Sequence, residues 1–246
     1  MGLQLADVEN DPLVKDTLKV FTDAIREDYA GNDYGPKGAA LAPKFDNPVF
    51  RLLLETDSLD SVSAAVLSAD HLLGWVPVEK VEKKLNPEVA ELIALFRGDR
   101  GEGPEVLLEA KNPLAMKLLV ATLAVATTGE EFMEMKAEAD PMELRMAMAE
   151  IGSFVTDVAE RLTEERRWQA LPPKLLDKYL EGLANVVDAT PGKTQKRVIN
   201  LIIADLKTDM AKAEAEAIAA KEPPPVKVDP ESQFEKLKND ARKFKL

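Results

Sequence analysis

The chain has no cysteine and a single histidine, His71. Without cysteine there are no disulfides, zinc ribbons, iron–sulfur clusters or thiol nucleophiles. Most metal sites and most nucleophilic triads draw on cysteine or several histidines, so this composition excludes much familiar chemistry. Excess positive charge is missing too. The net charge of −12 disfavours binding to nucleic acid through bulk charge and leaves only a local basic patch for that role. No apolar run reaches the roughly 18 residues expected of a membrane span. The N-terminal stretch Met1 to Asp7 is acidic and lacks a signal-peptide layout, so the expected location is cytoplasmic.

What remains is ordinary for a folded helical protein. The 246 residues are 46% hydrophobic and 31% charged, which suffices for a substantial core. Six Asx-Pro pairs punctuate the chain: Asp11-Pro12, Asn47-Pro48, Asn86-Pro87, Asn112-Pro113, Asp140-Pro141 and Asp229-Pro230. Each has the form of a helix start. The Asx side chain accepts from free backbone N–H groups of the first turn, and proline fits the next position because its missing N–H would be unpaired there. Their spacing is irregular, so they are punctuation and not a repeat.

Helical periodicity fills the intervals. Val14, Leu18, Phe21 and Ile25 share a face before Gly31; residues 31 to 46 read as a loop. Short helices are expected from Val49 to Glu55 and after Pro77, which carries Val78, Val81 and Leu85. Ser58 is expected to cap a helix bearing Leu59, Val62, Val66, Ala69 and Leu73. Val89, Leu92, Ile93 and Phe96 mark the next, ahead of a break at Gly98, Gly101 and Gly103. Leu114 to Val125 is apolar almost all round, the mark of a buried central helix. Leu144, Met148, Ile151, Val155, Val158 and Leu162 line one face of a long helix, and Pro172-Pro173 opens another. Val198 through Ala217 makes the last long one. No alternating strand is present, so the fold class is all-α, with nine or ten helices in a domain over residues 8–220.

The C-terminal end differs in character. Residues 221–230, with Pro223-Pro224-Pro225, read as a stiff linker, and residues 231–246 as a basic amphipathic helix. Phe234, Leu237, Ala241 and Phe244 form its apolar stripe, flanked by Arg242 and Lys243. The stripe either folds back on its own domain or docks in the groove of a protein partner; docking is the expected partner contact.

Several patterns imply less than they suggest. Gly192-Lys193-Thr194 has the end of a phosphate-binding loop, but the upstream glycine is replaced by Val187 and no strand precedes it. A weaker anion site at a helix start could use Lys193, Lys196 and Arg197. Glu130, Glu131, Glu134 and Glu138 read as a solvated face, since a di-iron carboxylate site needs two Glu-x-x-His pairs. Met133, Met135, Met142, Met146 and Met148 are expected in the core by their helical spacing. Trp75 and Trp168 are expected to seal core edges. No metal site and no cofactor are implied.

One longer pattern carries a resemblance. Asn47-Pro48-Val49 opens a short helix, Ala64 to Asp70 is an Ala-rich helix, Val78 to Glu82 is an acidic connection, and Pro87 to Ile93 contains Glu88-Val89-Ala90-Glu91-Leu92. This order resembles the HD hydrolase domain of RelA/SpoT-type stringent-response enzymes, over residues 47–135. The resemblance implies an HD-like helical fold. It also implies a lost metal site, because Asn47 and Ala69 stand where the family has histidines. Leu73 and Gly74 stand in place of its catalytic Glu-Asp, and Val125 near its distal metal aspartate. Asp70 remains, but His71 follows it by one residue and points about 100° away on a helix. A metal phosphohydrolase needs its ion to generate hydroxide and neutralise phosphate charge. The expected function is therefore non-catalytic: a binding, adaptor or assembly protein. The alternatives are a nucleotide phosphohydrolase with Asp70 and His71 in a rearranged site, and a scaffolding protein acting through its basic tail.

Overall fold

Five of the Asx-Pro pairs open helices in a computed structural model of the chain, which describes residues 3–28, 45–98 and 105–221. The sixth, Asp229-Pro230, lies outside the described residues, as do the linker after residue 221, the basic tail and most of the loop after residue 31. At each of the five starts the Asx oxygen accepts from the first turn: Asp11 from Leu13 N at 2.8 Å, Asn47 from Val49 N at 2.8 Å, Asn86 from Glu88 N at 2.9 Å, Asn112 from Leu114 N at 2.9 Å and Asp140 from Met142 N at 2.6 Å. Each such cap stabilises its helix by about 1 kcal/mol.

Twelve α-helices follow one another among the described residues, with no strand. The first six are α1 (Leu5–Glu9), α2 (Pro12–Asp28), α3 (Pro48–Glu55), α4 (Ser61–Leu72), α5 (Val78–Val81) and α6 (Pro87–Arg97). The others are α7 (Glu105–Glu109), α8 (Pro113–Thr128), α9 (Glu130–Glu138), α10 (Pro141–Thr163), α11 (Pro173–Ala189) and α12 (Lys193–Lys221). The class is all-α, as the periodicity indicates. The additional helices include α1 and α7, each five residues long and too short to display a period of their own.

The chain divides into two compact units, residues 1–206 and 207–246. In the first, α8 is the central element. Leu114, Leu118, Leu119, Val120 and Leu123 are all buried, on more than one side of the helix, because α3, α6, α7 and α11 all pack against it. The most extensive helix pair is α8 with α11. Gly182 makes that approach possible: a Cβ there would lie 1.9 Å from Thr127 Oγ1. Asn185 Nδ2 then donates to the Thr127 carbonyl at 3.0 Å, so the pair is fixed by a polar contact as well as by shape. α4 is buried along nearly its whole length, against α2 and α6. On the other flank, Tyr179 of α11 is buried and donates to the Val155 carbonyl of α10 at 2.7 Å. Of the second unit, residues 207–221 are described and belong to α12.

Three expectations need correction. Asp60, not Ser58, caps α4, accepting from Ser63 N at 2.8 Å. Ser58 is occupied by the end of α3: its N–H donates to the Leu53 carbonyl and its hydroxyl lies 2.9 Å from Thr56 Oγ1. The chain turns there through Asp57 at φ 55°, so Asp57 N donates to Leu54 O and Ser58 N to Leu53 O, the paired bonds of a Schellman motif with aspartate in the usual glycine position. Trp75 does not seal a core edge; it is 47% exposed, because α4 ends at Leu72 and the chain turns outward through Gly74. Of the methionines, Met148 is buried, but Met142 is 71% and Met146 65% exposed, and Met133 is exposed as well. Along the first two turns of α10 every residue before Met148 is at least partly exposed, and burial recurs regularly only from Gly152 on.

Candidate functional site

Asn47, Ala69 and Asp70, singled out by the resemblance, each have local structural work. Asn47 spends its side-chain oxygen on Val49 N and Phe50 N at the start of α3. Ala69 is fully buried on α4 and offers no donor atom. Asp70 is half-buried, and Arg97 Nη1 of α6 lies 3.4 Å from its Oδ1. Arg97 sits in the last turn of α6, where a cation is favoured by the helix dipole, so the pair ties α4 to α6. His71 is exposed, one residue on and turned about 100° from Asp70. Leu73 is buried, Gly74 exposed, and Val125 half-buried on α8. Among the described residues, no three His, Asp or Glu side chains converge as a metal-ligand set.

The proposed anion residues open α12. Lys193 and Arg197 are exposed, and Lys196 Nζ donates to the Asp188 carbonyl at 3.3 Å, closing the turn between α11 and α12. One of the three is therefore committed to holding a turn. Glu130, Glu131, Glu134 and Glu138 are all exposed on α9, the solvated face expected of them. Phe234, Leu237, Ala241, Phe244, Arg242 and Lys243 lie outside the described residues.

A concave site forms elsewhere, where nothing in the sequence spacing marks it. Between the segment entering α8 and the turn leaving α10 lies a cleft of about 470 Å³. Its lining includes Ala110, Lys111, Met116, Glu165, Arg167 and Leu171. Met116 and Leu171 are buried and form an apolar floor; Lys111, Glu165 and Arg167 put charge on the rim. The turn is made by two consecutive non-glycine residues in the left-handed region, Glu165 at φ 52° and Arg166 at φ 55°. Such residues cost on the order of 1 kcal/mol each and persist where the surroundings over-determine them.

A second groove, of about 540 Å³, runs along α2. Leu13, Val20 and Leu85 line it together with Asp16, Asp23 and Glu27. Lys84 crosses it to Glu27 at 3.3 Å, and beside it Lys80 reaches Asp28 at 2.8 Å. These exposed pairs tie α5 and the turn after it to α2 and contribute little beyond that, since the median surface pair is worth about 0–1 kcal/mol.

The cleft residues escape sequence reading because they come from two segments about fifty positions apart and have no common motif. The nearest signal is the pair of helix starts at Asn112-Pro113 and Pro172-Pro173, which bracket both walls. No helix is long and apolar enough to cross a membrane among the described residues. Comparison of the chain with protein-family models, with curated proteins and with solved structures finds no match.

Proposed function

We propose that this chain is a non-catalytic binding or adaptor protein of the cytoplasm, in which an HD-like segment over residues 47–135 serves as a scaffold without its metal site. The observation that carries the reading is the employment of Asn47, Ala69 and Asp70. One caps a helix, one packs without a donor atom, and one is ion-paired to Arg97. A hydrolytic site would require these positions to be released and the missing ligands supplied. Partner contact is assigned to the basic amphipathic segment 231–246, with Phe234, Leu237, Ala241 and Phe244 as its apolar stripe. The exposed Met142 and Met146, one turn apart on α10, favour partner binding independently. Flexible thioethers on a surface adapt to apolar partners at low cost.

Two assays test the two halves of this reading. The full chain, incubated with Mn²⁺ and guanosine nucleotides bearing a 3′-pyrophosphate, is expected to hydrolyse none above the background of D70A. Asp70-dependent turnover would establish the hydrolase alternative instead. Chemical crosslinking in cells of the full chain and of a chain lacking residues 223–246 addresses the tail. The expected result is a crosslinked partner lost on truncation; a partner retained in full would remove the docking role.

A further inference from the structure

We propose that the cleft between residues 110–116 and 165–171 is a binding site for a small amphipathic carboxylate. The described residues that line it all belong to the first compact unit, and none lies among residues 47–70. Its volume of about 470 Å³ falls in the range of small-molecule pockets. Its character is two-sided, an apolar floor under a charged rim, which is the layout that fixes a ligand's orientation.

Arg167 is the informative residue. Its side chain is only 31% exposed, yet among the described residues its one ion-pair partner is Glu165, at 4.0 Å. That distance is beyond hydrogen-bond reach. A guanidinium carries five N–H donors in a planar fork, suited to the two oxygens of a carboxylate. Arg167 lines the cleft, and its donors are unspent on Glu165. Lys111 adds a second cation at the rim. Of the charged side chains that line the cleft, two are cations and one is a carboxylate, a balance that favours an anionic head group. Met116 and Leu171, both buried, offer an apolar surface for an aliphatic or aromatic body. Glu165 competes for the same guanidinium. Its side chain is 85% exposed, so it can turn to water as a ligand carboxylate takes its place.

The probe is decanoate, titrated into the full chain labelled with ¹³C at the methionine methyl groups. The Met116 signal is assigned by its loss in M116L. The expected result is a saturable shift of that signal, with decanol, which has the same chain and no charge, binding at least tenfold more weakly. R167Q is expected to weaken decanoate binding by about tenfold or more, the scale of a charged hydrogen bond. E165Q is expected to strengthen it, because a competitor for Arg167 is removed. The exposed position of Glu165 keeps the E165Q fold intact, so its sign decides the matter even if R167Q is unstable. The proposal is overturned if decanoate moves Met142 and Met146 but not Met116, if decanol binds as well as decanoate, or if E165Q leaves affinity unchanged or reduces it.

Discussion

Replacing Gly182 by alanine tests the closest helix approach in the fold. A methyl group normally helps a helix interior by about 0.5–1 kcal/mol, through reduced backbone freedom in the unfolded chain. Here the new Cβ would meet Thr127 Oγ1 at 1.9 Å and Thr127 Cβ at 3.0 Å. Thr127 has no easy way to yield. It is buried, its hydroxyl donates to the Leu123 carbonyl at 2.6 Å, and its own carbonyl accepts from Asn185 at 3.0 Å. The helices α8 and α11 must therefore part, and overpacking of that kind costs about 1–3 kcal/mol. Set against the helix gain, G182A is expected to lose about 1–2 kcal/mol, read as a Tm about 2–8 °C lower for a chain of this size. Urea denaturation followed by far-ultraviolet circular dichroism measures it. T127A removes the hydroxyl and should relieve most of the clash, so the double variant G182A/T127A should be more stable than the two single losses predict, by about 1 kcal/mol or more. Strict additivity, or a G182A variant stabilised by the full helix-propensity gain, would refute the close approach.

The remaining predictions concern a turn and a buried phenol. D57G places glycine at the left-handed position that closes α3, where the aspartate side chain is exposed; stability should rise by about 0.5–1 kcal/mol in the same denaturation assay. Burial holds the Tyr179 phenol well above the ordinary tyrosine range. The unfolded chain releases this proton near pH 10 while the folded chain keeps it, so the contribution is fully present below about pH 10 and lost as pH rises above it. Y179F should therefore flatten the fall in stability above that point by about 1.4 kcal/mol per pH unit, and parallel curves for the two proteins would contradict it. At neutral pH the same substitution should cost about 1 kcal/mol for the bond to Val155 O, seen as a lower urea midpoint.

The local chemistry of helix starts was legible because it is local. Asp11, Asn47, Asn86, Asn112 and Asp140 each act on the two or three residues that follow, and no distant part of the fold can alter that. The all-round apolar pattern of residues 114–125 likewise placed α8 at the centre. Ser58 shows where such reasoning ends. Its sequence suits an N-cap, but the left-handed Asp57 turns the chain so that Ser58 closes α3 and Asp60 begins α4. Met142 and Met146 show the second limit. Helical spacing fixes which residues share a face, but only the neighbouring helices decide whether that face is covered. The cleft shows the third, since Arg167 and Met116 acquire their relation from tertiary packing alone. Asp70 had the right residue type for chemistry, and its partner Arg97, 27 positions on, became visible only when α4 met α6.

Under the proposed reading, Asn47, Ala69 and Asp70 serve structure and hold no metal ion. Metal stoichiometry tests it most directly. The full chain, purified without chelators, is equilibrated with Mn²⁺, passed through gel filtration and analysed by plasma mass spectrometry for Mn, Fe and Zn. Far less than one ion per chain is expected, unchanged in D70A. One tightly held ion per chain in the wild-type protein, lost in D70A, would contradict it.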